Sequence, residues 1–396
     1  MPSRFHGDVS AMSRQLISAN HAAAEAATMA ARANKNARGF ASGIYPITPQ
    51  TECIEYLAKQ EIEKGAVVRV ESEHSAMGVC IGAALSGART FTASASNGLS
   101  YMVENIATAG FYRLPILMYA VNRTLGPPWN IWVDHGDTFQ LRDAGWMHVY
   151  CEDNQEVMDS ILFAYRVMED ARIMLPMMVC ADAFVLSHTM MMTDMPTQEQ
   201  VDAYLPDLNL PHAVASEPVT VGGLDFPRET EVHRRQHQEA FDRVPEVYAE
   251  AQAEFEKVFG RKIPDRVVPY QMDDAEIAIV CIGTFASTVK PVVDKLRKQG
   301  IKAGLVRLRM LRPFPEQEMV EILSGVERIG VMDRDISLGM GGVLWSETRG
   351  CAPHAIMQNY MIGLGGGDVR AGHIETIFTE LLEQKESGKP RIVEVG

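Results

Sequence analysis

The chain contains no Cys-x-x-Cys pair, no Walker A sequence, no apolar run long enough to span a bilayer and no stripe of basic residues. Each absence excludes a class of function. The six cysteines stand apart at 53, 80, 151, 180, 281 and 351, so neither a structural zinc nor an iron–sulfur cluster built from this chain alone is expected. Several lie inside apolar runs, such as Met177-Met178-Val179-Cys180 and Ile279-Val280-Cys281-Ile282. These read as small buried hydrophobes kept reduced in a cytoplasm. A formal net charge of -14, with no basic face to neutralise phosphates, argues against a nucleic-acid partner. One local arginine can still hold a small anion. The segment Met1-Pro2-Ser3-Arg4-Phe5-His6 lacks the basic-then-apolar layout of a signal peptide, and a cytoplasmic protein with no membrane partner is expected.

What is present is an ordinary globular composition. The 396 residues, 46% apolar and 22% charged, leave room for two or three domains. The methionine clusters at 174, 177 and 178 and at 190 to 192 are expected to serve as adaptable packing.

Hydrophobic patterning predicts repeated strand–helix alternation. Ser18 or Asn20 can cap an alanine-rich helix that ends near Gly39 or Gly43. Residues 51–64 have helical spacing. Residues 66–70 form a β-branched run that reads as a buried parallel strand. His74 to Leu85 reads as a helix of small residues, able to approach a neighbour closely. Strands are expected at 89–95, 116–121, 147–150 and 177–180, the first of them running into the polar turn Ser96-Asn97-Gly98. Prolines and acids recur from about residue 190. Residues 229–259 then predict a charged helix, kinked or split at Pro245, in a connecting region without its own core. A second α/β unit starts near Ala275, with strands at 276–283, 303–308 and 328–333 and helices at 288–299 and 316–323.

The chemistry-bearing candidates sit where predicted strands end, which is where open α/β sheets bind ligands. Tyr45-Pro46-Ile47-Thr48-Pro49 follows a short apolar run. Glu71 and Glu73 follow strand 66–70, and a carboxylate there is either solvated or poised to move a proton. Arg123 follows strand 116–121 and could grip a carboxylate through two parallel hydrogen bonds, beside the hydroxyl of Thr48. A surface arginine and a turn threonine would look the same. The glycine clusters Gly339-x-Gly341-Gly342 and Gly363, Gly365, Gly366 and Gly367 do not follow a dinucleotide-binding layout and read as tight turns.

Together with Thr90-Phe91-Thr92-Ala93, Gly98-Leu99, Asn122-Arg123, Asn130-Ile131-Trp132-x-Asp134-His135-x-Asp137, Asp182-Ala183-Phe184-Val185-Leu186-Ser187-His188, Arg312-Pro313-Phe314-Pro315 and Asp333-Arg334-Asp335-Ile336-Ser337, these segments resemble the alpha subunit of the 2-oxoacid:ferredoxin oxidoreductases, especially the pyruvate branch. The match is collinear from about residue 18 to the C-terminus. The resemblance implies a parallel-sheet α/β domain over 1–265 that receives the aminopyrimidine of thiamine diphosphate, with its connecting helical segment from about 190. A smaller α/β domain like the transketolase C-terminal domain follows over 266–396. It implies that Glu73 hydrogen-bonds the pyrimidine, that Tyr45 and Pro46 line the cofactor, and that Thr48 and Arg123 hold the 2-oxoacid. The implied reaction is oxidative decarboxylation of a 2-oxoacid, pyruvate by default, to an acyl-coenzyme A and carbon dioxide.

The family's Gly-Asp-Gly motif for diphosphate and Mg2+ is absent, as are cysteine sets for 4Fe-4S clusters. The resemblance therefore implies an active site shared with a beta subunit, and partners that include a ferredoxin-like cluster subunit and a gamma subunit. Two departures bear on the substrate. Gly126-Pro127-Pro128-Trp129 stands where pyruvate enzymes carry smaller or aliphatic residues, and Asn97 stands where many have glutamine. Trp129 could stack on an aromatic substrate or narrow the pocket. An aromatic, phenylglyoxylate-like or branched-chain 2-oxoacid, oxalate, a non-redox transketolase- or decarboxylase-like subunit, and a scaffold subunit are the alternatives.

Overall fold

The computed structural model describes residues 13–395 apart from 36, 37, 212 and 217, so the segment Met1 to His6 lies outside the described residues. Seven strands form one sheet in the order Met310–Arg312, Met147–Tyr150, Met177–Asp182, Ile116–Asn122, Arg89–Ser94, Phe40–Ile44 and Gly65–Arg69. All run parallel except Met310–Arg312, which joins Met147–Tyr150 antiparallel. Central strands such as Ile116–Asn122 are buried along their whole length, as expected of parallel strands covered on both faces. A second sheet of six strands has the order Arg391–Val393, Ile356–Ile362, Arg328–Asp333, Ile277–Cys281, Ala303–Leu308 and Val267–Tyr270, with the last antiparallel to its neighbour. Ser13–Ile17 and Met191–Met195 form a separate antiparallel ribbon.

The helix Ala19–Ala33 starts at Ser18, whose hydroxyl accepts the His21 N–H. It ends earlier than its alanines suggest, because Asn34 turns the chain and donates from Nδ2 to the Gly39 carbonyl at 2.7 Å. Gly43 is no helix stop. It sits inside strand Phe40–Ile44, where a Cβ would lie 2.0 Å from the Ala76 carbonyl oxygen. That contact is what the small-residue helix Glu73–Leu85 is for: its backbone presses directly on the sheet.

Three expectations need correction. The helix expected over 51–64 spans only Thr51–Leu57, and Ile62 reaches the core from the following turn, packed beneath Gly65. Strand Gly65–Arg69 is largely exposed, because it closes the sheet edge with a neighbour on one side only. A β-branched run marks a strand and not its place in the sheet. Met174, Met177 and Met178 are buried, but Met190 and Met192 are exposed. The charged segment 229–259 is split as expected: Pro227–Asp242 and Val244–Phe259 meet at Arg243, and Pro245 occupies the first turn of the second helix, where its missing N–H costs nothing. Tyr248, Phe255 and Phe259 join the core around helix Asn154–Met168. All six cysteines are free and buried. Among the described residues no helix is long and apolar enough to cross a membrane.

The two sheets are joined by buried charge. Glu156 accepts from Arg307 Nη1 at 2.9 Å and Arg309 Nε at 2.6 Å, and Arg309 also reaches Ser160 and the Tyr248 hydroxyl. A second seam centres on Asp182, at the end of its strand. His135 Nε2 lies 2.8 Å from Asp182 Oδ1, and the Thr284 hydroxyl donates to Oδ2. Burial pushes the Asp182 carboxyl up, but His135, Arg334 and Thr284 outweigh it and bring it to about 2. An aspartate in the unfolded chain titrates near 3.9. The native group is the stronger acid, so its stabilisation of about 2–3 kcal/mol is complete above roughly pH 5 and is lost as the pH falls through about 4 toward 2. Asp182→Asn is therefore expected to lower the unfolding free energy by about 3 kcal/mol at neutral pH. In denaturant titrations, the gap to wild type should shrink below about pH 4. An unchanged gap at pH 3 would contradict the assignment.

Candidate active site

Because the strands are parallel, their C-terminal ends open on one side, and four of them deliver the candidate residues there. Phe40–Ile44 leads into Tyr45 to Pro49, Gly65–Arg69 into Glu71 and Glu73, Arg89–Ser94 into Ser96 to Gly98, and Ile116–Asn122 into Arg123.

The two carboxylates after strand Gly65–Arg69 have different fates. Glu71 is exposed, and a hydrogen bond from the Ser75 hydroxyl holds its carboxyl below the usual range. Glu73 opens helix Glu73–Leu85, capped by the Ser72 hydroxyl, and is only 8% exposed. Burial raises its carboxyl, while a bond from its own backbone N–H acts the other way. Of the pair, Glu73 is the one whose pKa burial moves upward. Its near neighbour is bare backbone: a Cβ on Gly98 would lie 2.7 Å from Glu73 Oε1 and 2.5 Å from the Ser94 hydroxyl. The expected turn Ser96-Asn97-Gly98 is instead the start of a short helix, Ser96–Tyr101, and only glycine lets that helix approach the carboxyl so closely.

Arg123 and Thr48 meet. Arg123 donates from Nη1 to the Thr48 carbonyl at 2.8 Å and from Nε to the Asn130 carbonyl at 2.9 Å, which leaves the Nη2 end of the fork for another acceptor. Desolvation lowers the Arg123 pKa, and Asp137 raises it. Thr48 contributes its backbone oxygen to this contact and its side chain stays at the surface. Asn97 clamps the loop that follows Arg123: its Nδ2 donates to the Gly126 carbonyl at 3.2 Å, and its Oδ1 accepts the Gly126 N–H at 3.0 Å. Trp129 is 70% exposed and lies over Gly126, where a Cβ would meet its ring at 2.4 Å. Its indole thus covers its own loop. Tyr45 is half-buried and its carbonyl accepts from Gln50 Nε2, while Pro46 is exposed.

One residue without a role in the sequence reading organises these parts. Asp137 is fully buried, and its Oδ2 accepts the backbone N–H groups of both Ser96 and Arg123 at 2.9 Å. Its Oδ1 accepts from Asn122 Nδ2 at 2.9 Å. Burial pushes this carboxyl up to about 7, against the pull of its three donors. One side chain thereby ties the strand end that carries Asn97 and Gly98 to the one that carries Arg123. Ser96 holds a left-handed φ of 52° at this junction, a conformation unusual for a residue with a Cβ. The pattern Asp134-His135-x-Asp137 was the available signal, but nothing in sequence spacing pairs residue 137 with residue 96.

Both glycine clusters form turns, with left-handed φ at Gly339, Gly341, Gly363, Gly365 and Gly366. Among the described residues, no group of three or more His, Cys, Asp or Glu side chains could hold a metal.

Two family descriptions match this chain: pyruvate flavodoxin/ferredoxin oxidoreductase, thiamine diP-bdg, over residues 32–253, and pyruvate:ferredoxin oxidoreductase core domain II, over residues 275–374. Pyruvate synthase subunit PorA of Methanocaldococcus jannaschii is 41% identical over 375 residues, covering 93% of this chain and 94% of the relative. Ketoisovalerate oxidoreductase subunit VorA of Pyrococcus furiosus is 41% identical over 385 residues, covering 95% of each. Among solved structures, the 2-oxoglutarate:ferredoxin oxidoreductase of Magnetococcus marinus, with 2-oxoglutarate, coenzyme A and succinyl-CoA bound, superposes with a TM-score of 0.73 at 16% identity. That match covers 93% of this chain and 65% of the larger one, and shows a shared fold. An inactive tetramer of a split-gene transketolase gives a TM-score of 0.54 at 13% identity, covering 93% of this chain and 99% of that one.

Proposed function

Since the chain belongs to the 2-oxoacid:ferredoxin oxidoreductases as an alpha subunit, we propose that Glu73 serves the aminopyrimidine of thiamine diphosphate while Arg123 anchors the carboxylate of pyruvate. The carrying observation is the convergence of a buried, protonatable carboxyl and a half-engaged guanidinium at one end of the parallel sheet. The site fits the pyrimidine end of the cofactor. Glu73 offers a buried carboxyl with a raised pKa, and Gly98 brings bare backbone close beside it. Thiamine diphosphate supplies a carbon nucleophile and an electron sink, which no protein side chain provides.

The roles of this chain's own groups follow from their placement. The Glu73 carboxyl would hold a proton at a ring nitrogen of the pyrimidine and so tune the basicity of the exocyclic amine. Arg123 orients the 2-oxoacid with its remaining N–H groups and balances the carboxylate until carbon dioxide leaves. The overall change breaks the bond between the carboxyl and keto carbons and joins the acyl group to the thiol sulfur of coenzyme A. That change also releases carbon dioxide, the thiol proton and two electrons, which 4Fe-4S clusters on partner subunits would carry to an acceptor.

The remainder of the site belongs to a beta subunit that carries the diphosphate and Mg2+. Exposed Tyr101, on the helix that contains Gly98, and Val103, which opens the next helix, support a partner surface beside Glu73. Tyr45 and Pro46 would line the cofactor from the opposite loop. The domain division near residue 265 follows the same reading, with the first sheet, apart from its edge strand Met310–Arg312, as the pyrimidine-binding unit.

A branched 2-oxoacid is the second reading, because a ketoisovalerate oxidoreductase subunit is as similar to this chain as a pyruvate synthase subunit. Trp129 rests on Gly126 and is 70% exposed. The test is a panel of pyruvate, branched, aromatic and dicarboxylic 2-oxoacids on the assembled complex, following coenzyme A-dependent reduction of an artificial acceptor. Pyruvate should give the highest kcat/KM. A higher value for 2-oxoisovalerate selects the second reading, and no reduction with any of them contradicts the function.

A further inference from the structure

We propose that Asn130 is a positioning residue through which the glycine loop at 363–367 fixes the orientation of Arg123. The proposal rests on the reading of Arg123 as the carboxylate anchor. Asn130 has three ties. Its carbonyl accepts Arg123 Nε at 2.9 Å, its Oδ1 accepts the Trp132 N–H at 2.6 Å, and its Nδ2 donates to the Gly365 carbonyl at 2.9 Å. The first tie aims the guanidinium, the second is a local turn, and the third reaches the other sheet's unit. Gly365 follows strand Ile356–Ile362 and also donates its N–H toward Asp134 Oδ2 at 3.4 Å.

The contact is built from bare backbone. Gly365 has a left-handed φ of 59°, and a Cβ there would lie 3.0 Å from Asn130 Nδ2. A Cβ on Gly366 would lie 2.2 Å from that of Trp132. These glycines therefore allow a close approach as well as a turn. The base of the 124–132 loop is closed separately, by Thr124 donating from both its N–H and its hydroxyl to the Trp132 carbonyl. Loss of the Gly365 bond should thus leave the loop folded and free the Asn130 carbonyl to drift. A guanidinium held by two carbonyls turns when one of them moves, and its free end then misses the substrate carboxylate.

Asn130→Ser in the assembled holoenzyme tests this. A serine hydroxyl can still accept the Trp132 N–H, but is too short to reach Gly365. The KM for the 2-oxoacid should rise about five- to tenfold, the effect of one hydrogen bond, with kcat and the KM for coenzyme A little changed. Gly365→Ala, which leaves Asn130 intact, should give the same shift. On an Arg123→Ala background, Asn130→Ser should add nothing, whereas a merely structural brace would add its full effect. An unchanged KM in both single variants, or additivity with Arg123→Ala, overturns the proposal alone. If Arg123→Ala itself leaves the KM unchanged, the anchor reading fails and this proposal falls with it.

Discussion

Glu73→Gln should lower kcat of the assembled complex roughly a thousandfold, within the range for loss of a positioned acid–base group. Glutamine keeps the size and one hydrogen-bond acceptor of the native side chain, so helix Glu73–Leu85 and its Ser72 cap should be undisturbed. What it removes is a proton that can come and go. The KM for the 2-oxoacid should change little, because Arg123 is held by the Thr48 and Asn130 carbonyls and not by Glu73, and cofactor bound per complex should fall only modestly. Steady-state rates together with cofactor content separate these outcomes. A variant that keeps full activity would reduce the chain to a scaffold.

Arg123→Ala should raise the KM for the 2-oxoacid about a hundredfold, which corresponds to about 3 kcal/mol for charge-assisted bonds to a carboxylate. Alanine also releases the Thr48 and Asn130 carbonyls, so Arg123→Lys is the control. Lysine restores the charge without the fork and should recover only part of the affinity. The KM for coenzyme A should stay constant in both variants. Equal KM values for wild type and Arg123→Ala would remove this residue from the substrate site.

Most of the scaffold was legible because buried strands are apolar runs with few other readings. Ile116–Asn122 and Ile277–Cys281 are examples. Their order along the chain, alternating with helices, indicated parallel sheets and hence the end at which to look for a site. Edges and ends were harder. Strand Gly65–Arg69 has the composition of a central strand yet lies at the border, a property of its neighbours. Helix Ala19–Ala33 stops at a side-chain contact from Asn34 that alanine content cannot forecast.

The site shows the same division. Placing Glu71 and Glu73 at a strand end required only the local pattern. Telling the solvated carboxylate from the buried one required the approach of Gly98, which comes from the next strand. Asp137 was visible as part of a motif, but its work is done on Ser96 and Arg123 through backbone N–H groups, which leave no side-chain signature. The glycine cluster at 363–367 read as turns, and its contact with Asn130 spans 235 positions. The resemblance to a family, more than any single motif, connected these parts to a reaction.

The most direct measurement is a map of the assembled complex loaded with thiamine diphosphate. The Glu73 carboxyl should lie about 2.6–3.2 Å from a ring nitrogen of the pyrimidine, with the diphosphate end held by another subunit. A pyrimidine seated away from Glu73, or a diphosphate bound wholly within this chain, would contradict the account.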